Sequence, residues 1–145
     1  VSYLHEQGFT NVTLVDFASA PIEAFAERHP DFPAEHLICA DFFDLSDEQY
    51  QFDWVFEQTF FCAINPARRD EYVEKMAALL KPKGQLVGLL FDKDFGRQEP
   101  PFGGTKQEYR QRFATHFDID IMEPSDNSHP ARQGSELFIK MRVKN

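Results

Sequence analysis

Two acids stand where short apolar runs end: Asp16 after Val12-Thr13-Leu14-Val15, and Asp41 after Leu37-Ile38-Cys39-Ala40. A carboxylate at the C-terminal end of an early strand offers two oxygens spaced to accept both hydroxyls of a ribose. The competing reading for Asp16 is a turn or helix-capping residue. Asp41 is followed by Phe42-Phe43. That corner supplies a carboxylate for an exocyclic amine, a backbone N–H for a ring nitrogen and an aromatic wall, which are the three things adenine needs. An Asx-turn beside two core phenylalanines is the alternative. Taken together, about 25 residues apart, the two acids read as a nucleoside clamp. Glu57, Gln58 and Thr59 close a further apolar run. They could hold the amino-acid end of a cofactor or flank a cationic centre; otherwise Glu57 faces solvent and Gln58 caps a turn.

The remaining reactive residues form no catalytic constellation. The histidines, His5, His29, His36, His116 and His129, are scattered without ligand spacing, and Cys39 and Cys62 make no C-x-x-C, so no metal centre is expected. Both cysteines sit in apolar stretches and read as buried thiols. No Ser/His/Asp or Cys/His arrangement is visible, and no general base is nominated. Gly103-Gly104-Thr105-Lys106 lacks the spacing of a phosphate-binding loop. The Pro- and Gly-rich segment 92–105, with Phe95, Arg97 and Phe102, reads either as a substrate lid or as a solvated loop. Arg68-Arg69 followed by Asp70-Glu71 reads as a mixed-charge helix surface.

The elements that must position these residues follow from periodicity. A short helix over Val1–Gln7 ends at Gly8, and Asn11–Phe17 reads as a buried strand. Ser19 caps a helix with Ile22, Phe25 and Ala26 on one face, stopped at His29-Pro30. His36–Phe43 and Phe52–Thr59 are further buried-type strands. Asn65-Pro66 opens a helix carrying Tyr72, Val73, Met76, Ala77 and Leu80, which Lys81–Gly84 terminates. Gln85–Phe91, the most apolar run, is a central strand. Thr105 and Glu108 form a capping box for a helix through His116. Ile119 and Ile121, then Leu137, Ile139, Met141 and Val143, alternate with polar or exposed positions as an antiparallel edge pair. Strands alternating with helices predict an open α/β sheet, mostly parallel, with ligands outside the C-terminal strand ends.

Length and charge bound the rest. The chain has 145 residues, enough for one domain over 1–145. Its net charge of −9 opposes binding to nucleic acid or anionic lipid. No apolar run approaches the ~20 residues that span a bilayer, and the first residues are not a signal peptide, so a cytoplasmic location is expected. Sixteen phenylalanines call for a large aromatic core, a pocket for a flat ligand, or both.

From Asn11 onward the sequence resembles a known family. FDWVFEQTFFCAINP (Phe52 to Pro66), LLKPKGQLVGLLF (Leu79 to Phe91), PPFG (Pro100 to Gly103) and ARQGSELFIK (Ala131 to Lys140) look like the thiopurine and thiol methyltransferases. These belong to the class I, Rossmann-like methyltransferases. The resemblance implies S-adenosylmethionine as cofactor, with Asp16 on its ribose, Asp41 and Phe42 at adenine and Gln58 near the methionine portion. It implies methyl transfer to a small thiol or thiopurine, or to a halide as in some relatives. Phe60, Phe102 and Arg132 are the positions expected to face the acceptor, with Arg132 steering an anionic or thiolate nucleophile; a solvated Arg132 is the alternative. Proximity and alignment would carry most of the catalysis if the nucleophile is already a thiolate or halide.

The family's first strand and its glycine-rich loop are missing, because only Gly8 precedes Gly84. That loss is expected to leave two neighbouring strands without a partner. A start inside a helix, without Met, reads as the C-terminal two-thirds of a family domain from a longer reading frame; a truncated homologue that borrows its strand is the competing explanation. Two other functions stay open: a catalytically silent Rossmann-like binding module, and a methyltransferase with an oxygen or nitrogen acceptor.

Overall fold

The structure is a computed structural model that describes residues 1–145. The chain divides into two compact units, 1–46 and 47–145. In the first, α1 (Ser2–Glu6) turns out at Gly8 and leads to β1 (Leu14–Asp16), α2 (Ser19–Arg28) and β2 (Leu37–Cys39). β1 and β2 pair in parallel, Asp16 opposite Cys39. The cap of α2 differs from expectation. Ala18 holds the N-cap position, Ser19 is the first helical residue, and the Ala18 N–H is taken up by Asp16 Oδ1 at 2.9 Å. Phe32 and Leu45 are the buried apolar residues here, and Phe25 packs edge-on against Phe32.

The larger unit contains β3 (Phe52–Gln58), α3 (Arg69–Leu79), β4 (Leu80–Phe91), α4 (Lys106–Phe113), β5 (Phe117–Pro124) and β6 (Glu136–Val143). Its sheet runs β3-β4-β6-β5, parallel between β3 and β4 and antiparallel from there to the edge. The terminal antiparallel pair is therefore present as expected, with its second strand lodged beside β4. Leu137, Ile139 and Met141 alternate inward along β6 and join Tyr72, Phe113, Phe117 and Leu86 in the core. Such burial stabilises by roughly 1.5–3 kcal/mol per large side chain.

Three local departures have physical causes. α3 passes directly into β4, and Lys81–Gly84 is the irregular stretch of that strand: β3 pairs Phe52 with Leu80 and then Trp54 with Gln85, and Lys83 adopts φ +63°. On β5, Asp120 is bulged out between Ile119 and Ile121, which breaks the expected alternation and leaves Ile121 exposed while Met122 is buried. Of the four strands expected to be buried, only β4 has a ladder neighbour on each side. β1, β2 and β3 are half-buried because each has a ladder neighbour on one side alone, and Phe56 of β3 is 65% exposed. Cys39, expected to be buried, is exposed at the end of β2, and Cys62 is buried. No helix is long and apolar enough to cross a membrane.

Candidate functional site

In the smaller unit the two acids occupy one corner. Asp16 ends β1, and its carbonyl accepts the Ala40 N–H at 3.0 Å, so Asp41 follows one residue later on the neighbouring parallel strand. Asp41 caps the short 3-10 turn Phe42–Asp44 by accepting the Phe43 N–H on Oδ1 at 2.9 Å. Each acid thus performs the turn or capping duty with Oδ1. Each has a second oxygen, Oδ2, for another partner. The Phe42 and Phe43 rings meet edge to face at 5.2 Å beside Asp41.

In the larger unit Gln58 is exposed at the end of β3, opposite Leu89 of β4. Its neighbour Glu57 does not face solvent. The side chain is turned inward and Glu57 is only 4% exposed. Oε1 accepts the N–H groups of Phe60 and Phe61, both at 2.9 Å, and Oε2 accepts the Tyr72 hydroxyl at 2.7 Å. Burial pushes the Glu57 carboxyl up from its ordinary value, against the pull of those donors. Burial, reinforced by the Glu57 charge, raises Tyr72 well above the usual phenol value. Opposite Glu57 stands Gly88, where a Cβ would lie 2.1 Å from the Glu57 carbonyl oxygen, so the strands approach this closely only because Gly88 has none. Between the strand and the turn, Thr59 adopts φ +58°, costly for a β-branched residue and held by the Glu57 carboxylate on the next two amides.

The turn after Thr59 gathers the residues expected to face an acceptor. Phe60 is partly exposed with its ring 6.3 Å from Tyr72, and the Phe102 N–H donates to the Cys62 carbonyl at 2.7 Å. Segment 92–105 is therefore tied down. Gly104 N donates to Lys93 O at 3.1 Å, and the Tyr109 hydroxyl donates to Phe91 O at 2.6 Å. Cys62 donates its thiol to the Thr59 carbonyl at 3.4 Å, and burial followed by the nearby Glu57 charge raises its pKa. Arg132 Nη1 lies 3.8 Å from Glu136 Oε2, and its charge acts on Cys62 in the opposite sense. Thr59, Cys62, Phe91 and Glu136 line a small cavity at the C-terminal ends of β3 and β4, which is where open α/β sheets bind ligands.

Arg69 departs furthest from its expectation as a helix-surface residue: it is 2% exposed. Its guanidinium donates to Glu108 Oε1 at 2.8 Å and to the Gly103 carbonyl at 2.7 Å, and it lies 4.8 Å over the Phe61 ring. Burial works against ionised Glu108, yet Arg69 and Arg112 hold its carboxyl below the ordinary value. Arg69 thus joins α3, α4 and the PPFG segment. Nothing in helical periodicity marks it, because Arg68 next to it points into an exposed pair with Glu71. No group of three or more His, Cys, Asp or Glu side chains is placed to hold a metal ion.

The fold is that of the Rossmann-like methyltransferases. Residues of this chain superpose with TM-score 0.79 and 21% identity on the 1,6-didemethyltoxoflavin-N1-methyltransferase of Burkholderia thailandensis, crystallised with 1,6-didemethyltoxoflavin and S-adenosylhomocysteine, covering 99% of this chain and 65% of that one. A glycopeptide N-methyltransferase complexed with S-adenosylhomocysteine matches at TM-score 0.73 and 14% identity, covering 97% of this chain and 76% of that one. Within that class, the chain belongs to the thiopurine S-methyltransferase (TPMT) family, whose profile it matches over residues 3–143. A probable thiol methyltransferase 2 of Arabidopsis thaliana is 31% identical over 104 residues, 70% of this chain and 46% of the relative. A thiopurine S-methyltransferase of Nitrosospira multiformis is 27% identical over 111 residues, 74% of this chain and 50% of the relative. The chain spans about half the length of these two relatives.

Proposed function

We propose that this chain serves methyl transfer from S-adenosylmethionine to a small thiol or thiopurine-type acceptor, or a halide, its two units being parts of one methyltransferase domain. The observation that carries the reading is the pairing of Asp16 and Asp41 on adjacent parallel strand ends, each with one carboxylate oxygen beyond its turn duty. That donor set fits a nucleoside: Asp16 for the ribose hydroxyls, Asp41 with Phe42 for adenine, and Gln58 for the methionine portion. The cofactor, when bound, supplies a methyl group made electrophilic by its sulfonium. Phe60, Phe102 and Arg132, grouped at the turn after β3, are assigned to the acceptor. Family membership supports the same chemistry, as do relatives named for thiols and thiopurines. The free thiols and the charge of −9 support a reducing, cytoplasmic setting and a small-molecule partner over nucleic acid.

The test is calorimetric titration of S-adenosylhomocysteine into the chain, repeated with Asp16→Asn and Asp16→Ala. Asn retains an acceptor for the Ala18 N–H and loses the charge. Each hydrogen bond to a charged group is worth about 1.5–3 kcal/mol, so either variant should weaken binding about 10- to 150-fold. The second reading is a silent binding module. Undiminished binding by Asp16→Ala sinks the clamp, and binding without methyl transfer selects that second reading.

A further inference from the structure

The two faces of the four-stranded sheet differ. Leu86, Ile139 and Met122 are buried on the face against which α3 and α4 pack. The alternate residues of the same strands point the other way. Register sets Phe56 opposite Val87, Val87 opposite Lys140 and Lys140 opposite Ile121, and Phe138 is the next residue on this face of β6. Phe56, Ile121, Phe138 and Trp54 are exposed. The Trp54 and Phe56 rings stack at 6.3 Å, and Lys140 Nζ lies 6.0 Å from the centre of the Trp54 ring across β4, so β3, β4 and β6 share one surface. Contiguous exposed apolar side chains on a sheet face mark a binding surface. Its charge is one-sided at the centre, because Lys140 has no carboxylate within ion-pair distance. The acids of β5 are taken: Asp120 accepts from Arg142 at 2.8 and 2.9 Å, Glu123 accepts from Lys106 at 2.8 Å, and Asp118 stands opposite Arg142.

We propose that this face seats an amphipathic α-helix supplied from outside residues 1–145, apolar along its inner side and carrying there one carboxylate that meets Lys140. Size selects a helix. Strands lie ~4.8 Å apart and rise ~3.3 Å per residue, so the patch is about 10 Å wide from β3 to β6 and about 13 Å long over its three rungs. A helix is about 10–12 Å across and covers that length with about nine residues. A second copy of this chain fits poorly, since a stable dimer buries about 800 Å² on each partner, several times this footprint, and two chains of charge −9 repel each other. Charge selects the carboxylate. An apolar occupant alone would strip water from the Lys140 ammonium and offer nothing in return, whereas an acidic group gives it a partner in a drier setting. The inference draws on neither the strand-end acids nor the turn after β3, and it stands apart from the methyltransferase reading.

Trp54 is the only tryptophan in the chain and is 47% exposed, so its fluorescence reports directly on whether the face is covered. The probes are two synthetic peptides of about fourteen residues built from alanine, glutamine and leucine, with leucines at helical spacing along one side and either a glutamate or a lysine at the centre of that side. We expect the glutamate peptide to move the Trp54 emission to the blue and to bind about tenfold tighter than the lysine peptide. Lys140→Glu should reverse that order and Lys140→Gln should equalise the two peptides, so the charge assignment is tested by two independent variants. Phe56→Ser should weaken both peptides alike. Equal affinity of the unaltered chain for the two peptides, an order unmoved by either change at Lys140, or an emission that neither peptide alters overturns the proposal. So does a blue shift produced by chain concentration alone that tracks dimer formation in sedimentation, which gives the face to a second copy.

Discussion

The hydroxyl of Tyr72 is the most informative single group to remove. It is fully buried and donates to a carboxylate that is itself buried, at 2.7 Å. Tyr72→Phe keeps the ring and its edge-on contact with Phe61 at 5.0 Å, and leaves Glu57 with two donors instead of three. Loss of a hydrogen bond to a charged group costs about 1.5–3 kcal/mol. With a urea slope of about 2 kcal/mol/M, a 2 kcal/mol loss moves the unfolding midpoint down by about 1 M. In a Glu57→Gln background the same change removes a neutral hydrogen bond worth about 1 kcal/mol, so the double-mutant cycle should give a coupling of about 1 kcal/mol. Acidity supplies an independent check. The Glu57 carboxyl is raised in the folded chain, so between its ordinary value of 4.5 and its raised value the folded state binds more protons than the unfolded state. Stability contributed by this group therefore grows as pH falls through the raised value towards 4.5, and Glu57→Gln should lack that gain. A Tyr72→Phe cost under about 0.5 kcal/mol, or strict additivity with Glu57→Gln, refutes the account of the turn after β3 as held by this carboxylate.

Two further outcomes follow from the same region. Arg69→Leu should cost about 3 kcal/mol in urea unfolding, since it strips a buried ion-pair partner from Glu108 and a donor from the Gly103 carbonyl; hydrogen exchange at the Phe102 amide should quicken alongside. Thr59→Gly should stabilise by about 1 kcal/mol, because relief at φ +58° outweighs the added freedom of glycine when unfolded, and an equal loss of stability would show that Thr59 is not strained.

Much of this arrangement could be read from residue order alone, and the parts that could not share one cause. The strand-end acids, the inward alternation of Leu137, Ile139 and Met141, and the Thr105 cap, whose Oγ1 accepts the Glu108 N–H at 3.2 Å, are set by neighbours in sequence. Asp16 and Asp41 likewise perform the local turn duty that their type and position suggest. Glu57 and Arg69 are decided by what lies across from them: a glycine on β4 in one case, a carbonyl and a carboxylate more than thirty residues away in the other. Periodicity reports which face a residue occupies and is silent about the partner met there. The same limit explains β3, whose apolar composition predicts burial on both faces while Trp54 and Phe56 stack at 6.3 Å in an exposed position. The bulge at Asp120 is invisible for a related reason, since register belongs to a pair of strands.

The position of β6 has a consequence for synthesis. The sheet of the larger unit places β6, made after β3, β4 and β5, inside, between β4 and β5, with Ile139 and Met141 fully enclosed. While the ribosome still holds residues 136–143, β4 has no antiparallel neighbour and the apolar seats for Leu137, Ile139 and Met141 stand empty. The nascent larger unit therefore waits for residues 136–143 before its sheet can close, and a premature stop near Glu136 removes an interior strand.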